Sequence, residues 1–348
     1  MNMAATEKRN SALDWLRIFC CYCIIMLHVS GHLNLNSNFW RLVQGIVRPA
    51  LWCFLVLSGY FILSRPIKDW KKFYFTHLIH LIVPLVLYVF VYQFYYSRKV
   101  SLLAIIAGDP IGHLWFVYSL IVLYIMAPFL QKMLMNLSNA QLTGLLILMF
   151  FFGRVIRIIP ALGLSIGLPV TILGDCALFF FIMGYWLSRV KLSLSYKFLI
   201  PIGIVNILYT AYTLSNPILV NGAAELALGM IGGCIIYYLL FVKIFAGGGY
   251  NGFSRVAAFI SRRTYGIYLI HMLIFQYFTA NGIMALNPDS YSNIWILPLK
   301  CLIIFGIGLI MAIIMDLIIC EPIQKLCNYI YEKISLQFER QRSISADN

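Results

Sequence analysis

Apolar residues in this chain gather into long uninterrupted runs, separated by short polar connections. Stretches near 13–31, 46–64, 75–96, 113–130, 142–158, 170–188, 198–214, 224–245, 256–280 and 293–320 are long enough to cross a bilayer as helices. The pattern predicts an all-α, polytopic membrane protein of about ten transmembrane helices. Arg154 and Arg157 fall near the end of the fifth run and Pro160 closes it. Turn-forming residues mark the connections at Asn34 to Asn38, Ser97 to Asp109, Ser215-Asn216-Pro217 and Asn287-Pro288-Asp289. No internal repeat and no second folded domain is evident. Residues 1–322 are expected to form one integral membrane domain. Residues 323–348 are expected to form a cytoplasmic amphipathic segment (Leu326, Ile330, Ile334, Phe338) running into a disordered polar tail.

Composition sharpens this picture. With 62% hydrophobic and 11% charged residues, the chain lies far from the balance of a soluble domain. The opening Met1 to Asn10 is polar, and Asp14 and Arg17 interrupt the first apolar run, with no small-residue cleavage site after it. That argues for a retained helix over a signal peptide. The net charge of +14 lies between hydrophobic runs and not in a basic, aromatic-interleaved module, so no nucleic-acid partner is expected. With ten spans, 19 of the 26 Lys and Arg fall on the side of the termini, which places both termini in the cytoplasm. Such loops also meet anionic lipid. The nine cysteines show neither metal-ligand spacing nor a disulfide framework, and read as small, polarizable packing residues. No metal is expected.

A few polar residues inside the apolar runs then become the candidates for chemistry. Arg17 and His28 are eleven residues apart, roughly three helical turns, which puts them on one face about 16 Å apart in depth. Asp14, three residues before Arg17, shares that face and is expected to pair with it. In the expected orientation Asp14 and Arg17 lie near the cytoplasmic surface, and His28 lies most of the way across. Arg48 and His113 fall on the outer side. The bland alternatives are a topological cation for Arg17 and a helix-bonding imidazole for His28. The functional reading of His28 is a general base or proton relay, because imidazole titrates where a hydroxyl must be deprotonated.

The stretch Ser11-Ala-Leu-Asp-Trp-Leu-Arg-Ile-Phe, followed by a histidine eleven residues after the arginine, resembles the opening of the acyltransferase-3 family. Four further stretches agree in order: Arg48 to Tyr60 around Leu57-Ser-Gly-Tyr; His113-Leu-Trp-Phe with Tyr124 to Pro128; Phe179 to Arg189 around Met183-Gly-Tyr; and Ser261-Arg-Arg-Thr-Tyr-Gly-Ile-Tyr-Leu-Ile-His. In layout the chain is most similar to the short, single-domain branch of that family. The resemblance implies a membrane O-acyltransferase of a bacterial cytoplasmic membrane. It would move an acyl group, most commonly acetyl, from acetyl-coenzyme A to a hydroxyl of a surface or lipid-linked glycan.

Under that resemblance Asp14, Arg17 and His28 carry the catalytic role, with Arg17 facing the donor's phosphates. Arg65, Lys68, Lys71 and Lys72 are the expected docking site for coenzyme A, where several cations meet one polyanion. The family often has two arginines three apart in this loop. Here the second is Lys68, which lacks the bidentate fork. Arg48, His113, Trp115 and Asp175 are the expected acceptor-side residues; Asp175 reads as an unpaired acid within an apolar run, and Trp115 as a face for a sugar ring. His271 matches the family pattern and is expected to be structural. His77 and His80 read as packing or headgroup contacts. Gly247-Gly-Gly-Tyr-Asn-Gly lacks a Walker lysine and reads as a flexible loop. A transporter or flippase of a glycan intermediate, or of a proton-coupled solute, is the rival from another class. It would suit buried Arg, His and Asp, but the paired broken helices of many transporters are not seen. Homo-oligomerisation is left open.

Overall fold

The computed structural model describes residues 10–32, 38–96, 112–155, 175–214, 228–245, 252–283 and 293–346. Among these every regular element is helical. In chain order they are α1 (Ser11–His32), α2 (Asn38–Val47), α3 (Pro49–Leu63), α4 (Trp70–Tyr95), α5 (Trp115–Leu134), α6 (Asn139–Phe150), α7 (Cys176–Arg189), α8 (Tyr196–Thr213), α9 (Leu228–Ile244), α10 (Gly252–Ser261), α11 (Thr264–Ala280), α12 (Asn293–Met315) and α13 (Glu321–Ala346). A 3₁₀ turn, Gly112–Leu114, leads into α5, and π turns follow α6 (Phe151–Val155) and α12 (Asp316–Cys320).

Each predicted apolar run falls on helix along nearly all of its described length. Among the described residues five helical runs are long and apolar enough to cross a membrane: Ser11–Gly31, Phe39–Leu63, Trp70–Tyr95, Gly112–Leu134 and Trp295–Lys333. Three shorter apolar helices, Asn139–Gly153, Cys176–Arg189 and Leu228–Ile244, accompany them. The connections at 34–38, 97–109, 215–217 and 287–289, the glycine run at 247–252 and the end of the fifth predicted run lie wholly or partly outside the described residues.

α1 is the axis of the bundle, packed against α2, α3, α9, α10, α11 and α12. Its residues explain why it can be surrounded. Leu13, Leu16, Ile24 and Ile25 fill the larger spaces, while Cys20, Cys21 and Cys23 are small enough for neighbouring helices to come close, and all seven are buried. Cys21 Sγ donates to the Thr264 carbonyl at 3.6 Å, and Cys234 Sγ to the Pro49 carbonyl at 3.4 Å. The cysteines thus serve packing, as their spacing suggests.

α3 and α7 form the closest helix pair. Gly59 faces the backbone of Phe181 and Gly184 faces the backbone of Val56, so a Cβ at either site would overlap a carbonyl oxygen. Backbones in contact let the flanking aromatics interdigitate: Trp52 stacks on Phe180 with centroids 4.9 Å apart.

Two elements depart from the sequence pattern. The ninth run, 256–280, is two helices broken at Arg262 and Arg263. Thr264 Oγ1 donates to the Ser261 carbonyl at 2.8 Å, a local bond that competes with the helical ladder. Arg263 closes the break, with Nη1 donating to the Phe259 carbonyl at 2.9 Å and Nε 4.0 Å from Asp316. The second run carries a turn at Arg48, because Pro49 opens α3 and has no N–H to continue α2. The chain from Glu321 to Ala346 forms the single helix α13. Its Glu, Gln and Arg content favours helix, and α13 docks on α4 through the Phe75–Tyr331 stack at 4.4 Å.

Gly59→Ala and Gly184→Ala are each expected to destabilise the bundle by about 1–3 kcal/mol or more, the cost of overpacking a rigid contact. Gly144→Ala, with nothing within 4 Å of its Cβ position, is expected to leave stability unchanged. Thermal unfolding of the detergent-purified variants followed by tryptophan fluorescence measures this. Equal midpoints for all three would refute the close packing.

Candidate functional site

The site is built around one stripe of α1. Asn10 starts the helix by accepting the Ala12 N–H on Oδ1 at 3.1 Å. Asp14 follows one turn in, is 7% exposed, and accepts a hydrogen bond from Ser261 Oγ at 2.7 Å. The carboxylate expected beside Arg17 therefore also fastens α1 to the break between α10 and α11. The Arg17 guanidinium lies over the Phe61 ring, 5.5 Å from its centroid.

Arg17 lines a cavity of about 490 Å³ together with Ser58, Tyr124, His80, Arg262 and Tyr265. Asp316, in the π turn after α12, and Glu321 and Gln324, at the start of α13, complete its wall at the Asp14 end of the bundle. π turns recur at functional sites. At its inner end the cavity reaches Phe116 and Tyr268, whose rings lie 5.6 Å apart.

Behind those two rings sits a cluster of three histidines. His28 comes from α1, His113 from the turn before α5 and His271 from α11. Their ring centroids are 6.1 Å (His28–His113), 5.3 Å (His28–His271) and 5.1 Å (His113–His271) apart. His113 is 8% and His271 0% exposed, while His28 is half-buried. Tyr268 ties the cluster to the cavity: its hydroxyl donates to the His113 carbonyl, and its ring is 5.9 Å from His113 and 5.6 Å from His271. Tyr92 Oη accepts the Leu273 N–H at 3.1 Å and lies 3.3 Å from His113 Nε2, so its own proton is free for that nitrogen.

Trp115, beside His113 in sequence, is 42% exposed, with Trp52 behind it at 6.2 Å. Arg48 joins the same end of the bundle through a polar chain: Arg48 Nε donates to Gln44 Oε1 at 3.2 Å, and Gln44 Nε2 donates to Ser30 Oγ at 2.7 Å. Ser30 is buried two residues beyond His28.

Asp175 stands apart and corrects the expectation of an unpaired acid in an apolar run. It is the exposed N-cap of α7, its carboxylate accepting the Leu178 N–H at 2.7 Å. Capping satisfies an otherwise orphaned helix donor, which is a sufficient reason for an acid at this position.

The basic loop joins α3 to α4. Arg65, Lys68 and Lys72 line a second cavity of about 540 Å³ with an apolar wall of Phe61, Ile67 and Phe73, whereas Lys71 does not line it. Lys71 and Lys72 occupy the first turn of α4, where the helix end is already positive and Asp69 is the cap. Cations crowded at that end favour an anion there. Phe61, in this cavity's wall, lies under Arg17, in the other's, so that pair stands between the two spaces.

Gln131 holds the loop in place. It is buried in α5, accepts the Ile67 N–H at 2.7 Å and donates to the Leu63 carbonyl at 3.0 Å. Neither Gln131 nor the tyrosines Tyr92 and Tyr268 stands out in the sequence pattern; the one cue is an amide inside an apolar helix. His271, read from the sequence as structural, is the third member of the histidine cluster. Among the described residues no group of three or more His, Cys, Asp or Glu is arranged to hold a metal ion.

The arrangement offers cations in one cavity, a second cavity beside Arg17, and imidazoles behind its Tyr268 wall. Such a sequence suits delivery of an anionic, activated group to a site of proton transfer. A family profile described as an acyltransferase domain matches residues 10–315, from the cap of α1 to the end of α12. No curated protein and no solved structure matches the chain. This multi-pass membrane protein belongs to the acyltransferase-3 family.

Proposed function

We propose that this protein is an O-acetyltransferase of the bacterial cytoplasmic membrane, with both termini in the cytoplasm. In this reading acetyl-coenzyme A enters from the cytoplasmic side and the acceptor is a hydroxyl of a surface or lipid-linked glycan. The observation that carries it is the cavity beside Arg17, whose lining residue Tyr268 contacts His113 and His271 of the histidine cluster. The second cavity fits the donor's nucleotide end: Arg65, Lys68 and Lys72 match its phosphates, and Phe61 and Phe73 give an apolar wall for its base.

Bound acetyl-coenzyme A supplies a thioester, an acyl group activated toward oxygen nucleophiles. The phosphates meet Arg65, Lys68 and Lys72, and the acyl arm lies in the passage past Arg17. His28 takes the acceptor's hydroxyl proton as the new C–O bond forms. The C–S bond breaks, and the proton passes to the departing thiolate, so the reaction consumes no net proton. Trp115 offers the acceptor a half-exposed aromatic face beside His113, and Arg48 holds a polar edge next to it.

Release of free thiol from acetyl-coenzyme A by purified protein, with membrane glycolipids as acceptor, tests the reading; no acetyl-ester product would sink it. His28→Ala and His28→Gln are both expected to lower kcat by about 10²–10⁴-fold, the usual contribution of a positioned base, with insertion intact. Near wild-type turnover by either would remove His28 from the base role.

Neutralising Lys68, Lys71 and Lys72 together is expected to weaken donor binding, and binding by the parent protein is expected to fall as salt rises. Labelling of cysteines introduced at Asn36 and Ser343 confirms that the variant keeps its orientation. Unchanged donor affinity in a correctly inserted variant would remove the docking role.

Trp115→Ala is expected to raise the acceptor's KM roughly tenfold to hundredfold, in line with the about 1–3 kcal/mol of an aromatic stacking face. Donor affinity should stay the same. Steady-state kinetics varied in each substrate separates the two, and an effect on the donor alone would place the acceptor elsewhere.

A further inference from the structure

His271 is the least accessible member of the histidine cluster and has an unusual pattern of bonding. Its Nδ1 lies 2.5 Å from the Tyr268 carbonyl oxygen. A carbonyl only accepts, so Nδ1 carries the proton and Nε2 presents its lone pair. That Nε2 is fully buried and makes no hydrogen bond. An imidazole held for packing alone has no need of a bare lone pair, and leaving one buried is costly. The ring is nevertheless held through Nδ1 by the Tyr268 carbonyl and lies within ring-contact distance of both other histidines, 5.3 Å from His28 and 5.1 Å from His113.

The surroundings divide the labour within the cluster. His113 Nε2 is matched by the Tyr92 hydroxyl, which is itself fixed by the Leu273 N–H. His28 is half-buried and on the same α1 stripe as Arg17. Only His271 combines complete burial, a fixed tautomer and a lone pair with no partner.

We propose that His271 is a positioning residue for the transfer reaction, whose Nε2 lone pair accepts from the His28 ring and holds that imidazole for the acceptor's proton. This rests on the proposed acetyl transfer. When His28 takes the hydroxyl proton its ring becomes an imidazolium, whose N–H toward His271 then carries more positive charge. His271 Nε2 accepts from that N–H, which His28 keeps in both states, so the bond strengthens while the ring is cationic and weakens when the other proton leaves His28 for the thiolate. No atom is gained or lost in the cycle. The Tyr268 carbonyl sets the tautomer, as an orienting group does for a catalytic histidine.

The test uses two replacements that separate the nitrogens. Asparagine places an amide N–H near Nδ1, so His271→Asn keeps a donor for the Tyr268 carbonyl and deletes only the Nε2 lone pair. His271→Gln places its amide near Nε2, where the carbonyl oxygen restores an acceptor for His28. Full-length protein, purified in detergent, is assayed for thiol release from acetyl-coenzyme A with membrane glycolipids as acceptor. His271→Asn is expected to keep its thermal midpoint and donor KM while kcat falls about 10- to 100-fold, less than on removal of the base itself. His271→Gln is expected to recover part of that loss.

If His271→Asn turns over at the parent rate, or if its loss lies in KM or in the thermal midpoint, the positioning role is overturned and His271 is structural. Loss of kcat in both variants to the same extent would also overturn it, because the restored acceptor would then have no effect. The underlying reading fails separately: a parent protein that makes no acetyl ester, or a His28→Ala variant that still does, removes the reaction or its base and not merely the contribution of His271.

Discussion

Enclosure of α1 is the constraint on which the rest of this structure depends. A helix that carries Asp14, Arg17 and His28 cannot turn that stripe toward lipid without a large desolvation cost. Here six neighbouring helices surround it, and each polar group meets protein. Asp14 finds Ser261, Arg17 finds the Phe61 face and a polar cavity, and His28 finds two further imidazoles. Close approach of that many helices requires small residues, which explains the cysteines of α1 and the glycines where α3 crosses α7. The polar stripe and the small residues are therefore two halves of one solution. The stripe can be kept only where the packing is tight enough to cover it.

Breaks in the helices lie where the cavities open. Ser261 and Thr264 interrupt the α10–α11 run, and the π turn at Asp316 interrupts α12–α13; both line the cavity that holds Arg17. A continuous helix presents only side chains, whereas a break frees backbone and lets a side chain such as Arg262 turn into the space. The cation at the break is anchored by its neighbour: Arg263 lies over Phe259 at 3.9 Å and 4.0 Å from Asp316. Gln131 plays the same part at the other cavity, where its amide stands in for the missing ladder partners of the α3–α4 loop.

The apolar runs made the helices legible in the sequence, because length and hydropathy are local properties. Eleven-residue spacing likewise made it legible that Arg17 and His28 share the single helix α1. What could not be read is anything set by a partner distant in the chain. His271 and His28 are 243 residues apart, and no periodicity on either helix announces that their rings face each other. Asp175 shows the converse error. An acid inside an apolar run looks unpaired when only side chains are considered, yet the first turn of α7 supplies a backbone donor. The ninth run read as one helix because Arg262 and Arg263 look like a topological charge pair, while the cause of the break lies in the hydroxyls on either side.

Proton balance links the two ends of the candidate site under the acetyl-transfer reading. Thiol and alcohol exchange one acyl group and one proton, so the proton leaving the acceptor must reach the donor sulfur within the same enclosed space. Two separate sites, one at each membrane face, would need a path for that proton through apolar packing. In that reading a cavity lined by Tyr268, which contacts two of the three histidines, shortens the path, because the imidazoles then lie one ring away from that space. Tyr268 and Phe116 form the boundary, and Tyr268 touches both sides of it. Beyond that boundary His271 is fully buried and His113 nearly so, and neither imidazole is open to bulk solvent. An activated thioester held there meets a hydroxyl brought by its own binding energy before it meets solvent, which is the condition for transfer to win over hydrolysis.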